Sequence, residues 1–89
     1  MKTVLITGAG RGIGAATACL LARSGYAVAV NYLKNKEAAQ QVVESIQKSG
    51  GTAVALQADV SDEEAVLRLF GETERQLGPL DALVNNAGI

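Results

Sequence analysis

The sequence predicts an α/β domain built on a doubly wound parallel sheet, with four strands visible in the order 3-2-1-4. Three observations carry that expectation. Four short apolar runs rich in β-branched residues are separated by three stretches of a dozen or so residues with helical apolar spacing. The connections are short, as they are where parallel strands are joined by right-handed helical crossovers. Glycine is crowded where the first run meets the first helix, with Gly8, Gly10, Gly12 and Gly14 inside seven positions. A parallel sheet needs helices on both faces, and ligands then sit beyond the carboxyl ends of the strands where the strand order reverses. That place lies between the first and fourth strands.

Each element has its own justification. Thr3 to Thr7 is a continuous apolar run suited to a strand buried on both faces. From Gly12 to Ser24 the apolar positions Ile13, Ala16, Leu20 and Leu21 recur at helical spacing, and Gly25 supplies the stop. Ala27 to Tyr32 reads as a second buried strand. Asn35 can cap a helix reaching Ser49, with Ala39, Val42, Val43 and Ile46 as its apolar stripe and Gly50-Gly51 as its end. Thr52 to Gln57 is the third strand. Ser61 to Glu64 has the form of a capping box with Ser61 at the N-cap. The helix that follows places Val66, Leu69, Phe70 and Leu77 on one face and stops at Gly78-Pro79. Asp81 to Val84 is a fourth strand running into Asn85-Asn86-Ala87-Gly88.

Composition narrows the function. The 89 residues are 48% hydrophobic and 19% charged, a globular balance that disfavours disorder. Eight basic against nine acidic residues leave a net charge of −1, which does not suit a nucleic-acid binder. No apolar stretch is long enough to span a bilayer. One cysteine, Cys19, and no histidine exclude an internal disulfide and a multi-cysteine zinc site, so no metal is expected. Cys19, in an Ala/Leu-rich helix, reads as a small buried hydrophobe. The N-terminus enters a strand without a signal-peptide cleavage site, which makes a cytosolic location the default expectation. No repeat, low-complexity tract or linker marks a domain boundary.

The loop Thr7-Gly8-Ala9-Gly10-Arg11-Gly12-Ile13-Gly14 carries the functional signal. Each glycine in an ordered element costs about 0.5–1 kcal/mol of chain entropy, so four forgo about 2–4 kcal/mol against an alanine-like loop. A flexible turn has no need of that. Residues without Cβ let the backbone approach a pyrophosphate, and the helix N-terminus behind them offers unpaired N–H donors and a partial positive charge. The G-x-G-x-x-G fingerprint fails from Gly8, because position 13 is Ile, and no Gly-Lys-Ser/Thr follows to make a P-loop. The pattern that fits is T-G-x-x-x-G-x-G, through Gly8, Gly12 and Gly14.

With TGAGRGIG at 7–14, Asp59-Val60 after the third strand and NNAG at 85–88 after the fourth, the chain resembles the short-chain dehydrogenase/reductase superfamily. Within it, the resemblance is to the branch of 3-oxoacyl-acyl-carrier-protein reductases and sugar dehydrogenases. The resemblance covers all 89 residues and implies a Rossmann-like fold. It implies that Gly8, Gly12, Ile13 and Gly14 line the pyrophosphate and adjoining ribose of a nicotinamide dinucleotide, with Gly10 also among the cofactor-binding residues. Asp59 would contact the adenine with Val60 beside the ring, and Asn86, Ala87 and Gly88 would supply backbone near the cofactor. Asn85 would tie the fourth strand to its neighbours. Read without the resemblance, Asp59 is a loop residue before a capped helix, and Asn-Asn-Ala-Gly is a turn.

The end of the second strand points to NADP rather than NAD. An NAD site usually carries Asp or Glu there, bonded to the ribose 2′-hydroxyl. This chain reads Val30-Asn31-Tyr32-Leu33-Lys34, with no acid before Glu37. A carboxylate would repel a 2′-phosphate by about 4 kcal/mol at 4 Å and an effective dielectric of 20, and its absence removes that barrier. Arg11 can fork onto the phosphate, or else it is a solvated loop charge. Asn31 and the backbone near Tyr32 could add neutral donors.

The family's hydride chemistry, on a small carbonyl or alcohol substrate, uses a Tyr whose pKa is lowered by a nearby Lys, in a Y-x-x-x-K motif after NNAG, and a Ser before it. A phenol with pKa about 10 needs such a cation to act as a base near neutral pH. Tyr32 to Lys36 matches the motif but precedes NNAG and straddles the Asn35 cap, so no catalytic residue is assigned in this chain. The expectation is the N-terminal, dinucleotide-binding portion of a single-domain NADP(H)-dependent reductase, inactive alone, with strand four left as an open apolar edge. The resemblance also implies a homo-oligomer, a tetramer in particular. The alternatives are a non-catalytic NAD(P)-binding or redox-sensing module, and an epimerase-type relative. The latter is disfavoured because its T-G-x-x-G-x-x-G loop would need glycine where Arg11 stands.

Overall fold

A computed structural model describes residues 1–10 and 12–86. The elements run β1 (Thr3–Thr7), α1 (Gly12–Arg23), β2 (Ala27–Tyr32), α2 (Lys36–Lys48), β3 (Thr52–Gln57), α3 (Glu63–Leu77) and β4 (Leu80–Asn85). All strand pairs are parallel and the order is β3-β2-β1-β4, as the alternation predicts. Among the described residues no helix is long and apolar enough to cross a membrane.

The sheet is covered unequally. On one face Val4, Ile6, Val28 and Val30 meet Ala18 of α1 and Ala39, Val42, Val43 and Ile46 of α2. Burying each valine or isoleucine contributes about 1.5–3 kcal/mol, so this cluster is the principal source of stability. On the other face Leu5 and Ala29 pack beneath Ala65 and Leu69 of α3. α3 lies over β3 and β2 more than over β4, which leaves Leu83 48% exposed. β4 accordingly alternates between half-buried and exposed residues, whereas β1 is buried throughout.

α2 forms as its sequence predicts. The Asn35 side chain accepts a hydrogen bond from the Ala38 amide at 3.0 Å, a cap that contributes about 1 kcal/mol. Glycines 25 and 78 close α1 and α3 in the left-handed region.

Three expectations need correction. The apolar face of α1 is out of phase with the predicted stripe: Ile13 and Leu20 are exposed, as is Ala16, while Gly14 and Ala18 are buried and Ala15, Cys19, Leu21 and Ala22 pack against the core. The large side chains of α1 are divided, with Leu21 packed on the core and Ile13 and Leu20 turned to solvent, and small residues supply the rest of the contact face. The cap of α3 is Asp62, whose carboxylate accepts from the Glu64 amide at 3.1 Å. Ser61 does not cap, since its hydroxyl donates to Asp59 instead. β4 extends one residue beyond Asp81–Val84 at each end, following its ladder with β1 from Thr3↔Leu80 to Thr7↔Asn85. On α3 the fully buried positions are Ala65, Leu69 and Thr73, with Val66, Phe70 and Leu77 half-buried beside them. The Thr73 hydroxyl is buried without penalty because it donates to the Leu69 carbonyl at 2.8 Å.

Candidate functional site

The last ladder pair between β1 and β2 is Ile6↔Val30, and beyond it the chain turns sharply. Gly8 and Gly12 both have φ +63, a region that costs other L-residues about 1–2 kcal/mol. Between them Ala9 anchors the turn: it is fully buried, and its amide donates to the Asn31 carbonyl at 2.9 Å. Gly14 is required for a different reason. A Cβ there would lie 2.6 Å from Asn86 Nδ2, 2.7 Å from the Gly8 oxygen and 2.9 Å from Ala9 Cα. The first turn of α1 is therefore packed directly on the loop and on the end of β4. Gly10 is less constrained, as its Cβ would meet Ala39 at an ordinary 3.7 Å.

This geometry has the features that could hold an anion. The first amides of α1 have no acceptors within the helix, the helix dipole adds positive potential, and the first turn carries no acidic side chain. Space opens outward from Gly12, whose Cβ would meet nothing within 4 Å. Ile13 stands 79% exposed beside it. Free helix amides with open space before them could hold an anionic group such as a diphosphate.

The ends of the other strands converge on the same turn. The Thr7 hydroxyl donates to Asn85 Oδ1 at 3.1 Å and accepts the Asn86 amide at 3.0 Å. Asn86 Nδ2 donates to the Gly8 carbonyl at 3.1 Å. Asn85 and Asn86 thus fasten β4 to the start of the glycine turn. At the β3 end, Ala58 donates its amide to the Tyr32 carbonyl at 3.0 Å. Asp59 is exposed, and its Oδ1 accepts from the Ser61 hydroxyl at 2.6 Å and the Ser61 amide at 3.0 Å. Those bonds, the hydroxyl's foremost, hold the Asp59 carboxyl below the usual carboxylate range. Val60 is half-buried against the α3 cluster.

Asn31 does not do what its position suggested. Its side chain is 2% exposed, and Oδ1 accepts the Gly8 amide at 3.2 Å. Nδ2 faces the carbonyls of Leu56 and Ala58 at 3.3 Å and of Tyr32 at 3.4 Å. Its donors are engaged by the fold and cannot also hold a 2′-phosphate. One sequence signal for this role exists: Asn31 is the single polar residue in an otherwise apolar run up to Tyr32, and buried amides require partners. Tyr32 is half-buried against the α1/α2 face, and Lys36 opens α2 beyond the Asn35 cap, so the two do not share a helical turn. Arg11, Ala87 and Gly88 lie outside the described residues. Among the described residues no cluster of His, Cys, Asp and Glu could hold a metal.

Two cavities flank α3. One of about 410 Å³ lies between α3 and β4, lined by Thr7, Val60, Phe70, Leu83 and Asn85 among others. A larger one, about 640 Å³, follows β3 and α3 and reaches the site only at Ala58 and Asp59. Arg68 and Arg75 line it together with Asp62 and Glu72, so its charge selects no ligand.

The short chain dehydrogenase family profile matches residues 2–89. The chain belongs to the short-chain dehydrogenase family. This short-chain dehydrogenase chain is 51% identical over 88 residues to the 3-oxoacyl-acyl-carrier-protein reductase FabG of Staphylococcus aureus strain Mu50. That alignment covers 99% of the chain and 36% of the relative. A dehydrogenase/reductase structure from Sinorhizobium meliloti 1021 superposes with a TM-score of 0.96 at 52% identity, covering 99% of this chain and 35% of the other. A short chain dehydrogenase from Burkholderia cenocepacia J2315, solved in complex with NADP, superposes at 0.94 with 49% identity, covering 99% and 36%. The chain spans about a third of the length of the curated relatives it matches.

Proposed function

We propose that this chain is the dinucleotide-holding part of an NADP(H)-dependent oxidoreductase that interconverts a carbonyl and an alcohol. The observation that carries the reading is the turn from Gly8 to Gly12, left-handed at both glycines and opening onto the acid-free N-terminus of α1. The relative from Burkholderia cenocepacia, solved with NADP, supports the cofactor.

A bound nicotinamide dinucleotide supplies the hydride. The α1 amides would bind its diphosphate, with Gly8, Gly10, Gly12, Ile13 and Gly14 shaping the approach. Asp59 and Val60 would hold the adenine end, and the backbone of Asn86, Ala87 and Gly88 would border the nicotinamide end. Arg11 would neutralise the 2′-phosphate at a strand end where no carboxylate repels it. The acid/base Tyr-Lys pair and the Ser that the family resemblance requires after NNAG are not among these 89 residues, so turnover belongs to a protein that supplies them. A cytosolic homotetramer is the accompanying expectation, checked by light scattering.

The test is fluorescence titration of the full-length protein with NADPH and NADH. NADPH should bind more tightly. Arg11→Asp should weaken NADPH binding by at least about tenfold, with little effect on NADH, because a hydrogen bond between charged groups contributes about 1.5–3 kcal/mol. Equal losses for both cofactors would refute the NADP assignment. A panel of carbonyl compounds with NADPH then separates a reductase from a non-catalytic binding module.

A further inference from the structure

We propose that Asn31 is a positioning residue that holds the glycine turn and the Asp59–Val60 loop in the single geometry a dinucleotide requires. The proposal rests on the functional reading above. Asn31 lies just past the end of the β1 ladder, Ile6↔Val30, and one residue before the end of the β3 ladder, Tyr32↔Gln57. At that point one side chain takes over. Its Oδ1 holds the amide that begins the glycine turn, and its Nδ2 holds the Leu56 and Ala58 carbonyls, the second of them immediately before Asp59. The Asn31 main chain adds a bond to the Ala9 amide. The two loops expected to grip the diphosphate and the adenine end of a dinucleotide are therefore joined through one buried amide group.

Only a side chain with an acceptor and donors on one planar group can do this at that depth. Leucine would fill the volume but leave the Gly8 amide and the Ala58 carbonyl buried without partners. Serine is too short to bridge both loops. Aspartate keeps the acceptor for Gly8 but turns a negative oxygen toward carbonyls. Its protonated form restores a donor, and burial among carbonyls raises its pKa well above that of a free carboxyl. The defect in an N31D variant is therefore small at low pH and grows as pH rises.

The experiment uses N31D and N31S in the full-length protein, with NADPH as the probe at about pH 5.5 and about pH 8. N31D should bind NADPH about tenfold more weakly than wild type at the higher pH and return to within about threefold at the lower. Wild type carries the same Tyr32 and Asp59, and its pH dependence is subtracted as the control. N31S should be about tenfold weaker at both pH values. Amide hydrogen exchange in N31S should accelerate in the peptide around Gly8 and remain unchanged in the β1 and β2 interiors, which a general loss of stability would not produce. If N31D does not fold, N31S decides alone. Wild-type affinity in both variants overturns the proposal, as does an N31D defect equal at both pH values. Wild-type protein that binds neither NADPH nor NADH refutes the functional reading, and the positioning role with it. Wild-type binding that survives both substitutions refutes the positioning role alone.

Discussion

α1 and α2 lie on the same face of the sheet and pack by opposite means. α2 buries Ala39, Val42, Val43 and Ile46 along one stripe, and its position is set by the bulk of those side chains. α1 buries Gly14 and Ala18 and leaves Ile13 and Leu20 in solvent. A helix held off by aliphatic side chains sits at a distance that suits a core. A helix whose contact face opens with Gly14, Ala15 and Ala18 can bring its first turn against a loop and a strand end, as Gly14 does against Gly8, Ala9 and Asn86. The first arrangement makes stability, and the second places backbone amides where a ligand can use them.

That contrast can be broken most severely at Gly14. Gly14→Ala puts a methyl within 3 Å of three atoms, two of them backbone. It should destabilise the full-length protein by about 3 kcal/mol, the upper range for overpacking, and abolish measurable NADPH binding, as read by urea unfolding and fluorescence titration. Near-normal values for both would show that the loop can yield. Ile46→Ala tests the other helix. It should cost about 2–3 kcal/mol by leaving a cavity under α2, while NADPH affinity measured on the folded fraction stays near wild type. The smallest effects sharpen the contrast from the other side. Leu20→Ala, at an exposed large residue, should change stability by no more than about 0.5 kcal/mol. Gly10→Ala should be tolerated equally well, because its new methyl meets only ordinary contact distances. A loss above about 1 kcal/mol at Leu20 would mean that the exposed side of α1 is covered by something else.

The same contrast explains what was legible beforehand. The strands, their order and α2 follow from patterns of large apolar residues, and those expectations match the structure. The stripe of α1 is misread when hydrophobic size is taken as the guide, because Gly14, Ala15 and Ala18 face the core while Ile13 and Leu20 do not. The α3 cap shifts from Ser61 to Asp62 because two neighbouring residues could each cap, and a third, Asp59, draws the Ser61 hydroxyl away. Asn31 was legible as a polar residue at a strand end, but not as an internal brace. Its partners, Gly8, Leu56 and Ala58, are 23 to 27 residues away in the chain, and their meeting depends on the three strands being in register.

The Thr7–Asn85 and Gly8–Asn86 bonds close over 78 residues of chain, whereas the β1–β2 and β2–β3 pairings each join neighbouring elements through one helix. Loop-closure entropy makes the β1–β4 seam the costlier pairing to close, by about 1 kcal/mol. A ligand that needs both sides of that seam has no affinity for intermediates lacking it. Cofactor capture during refolding should therefore report the closing of that seam.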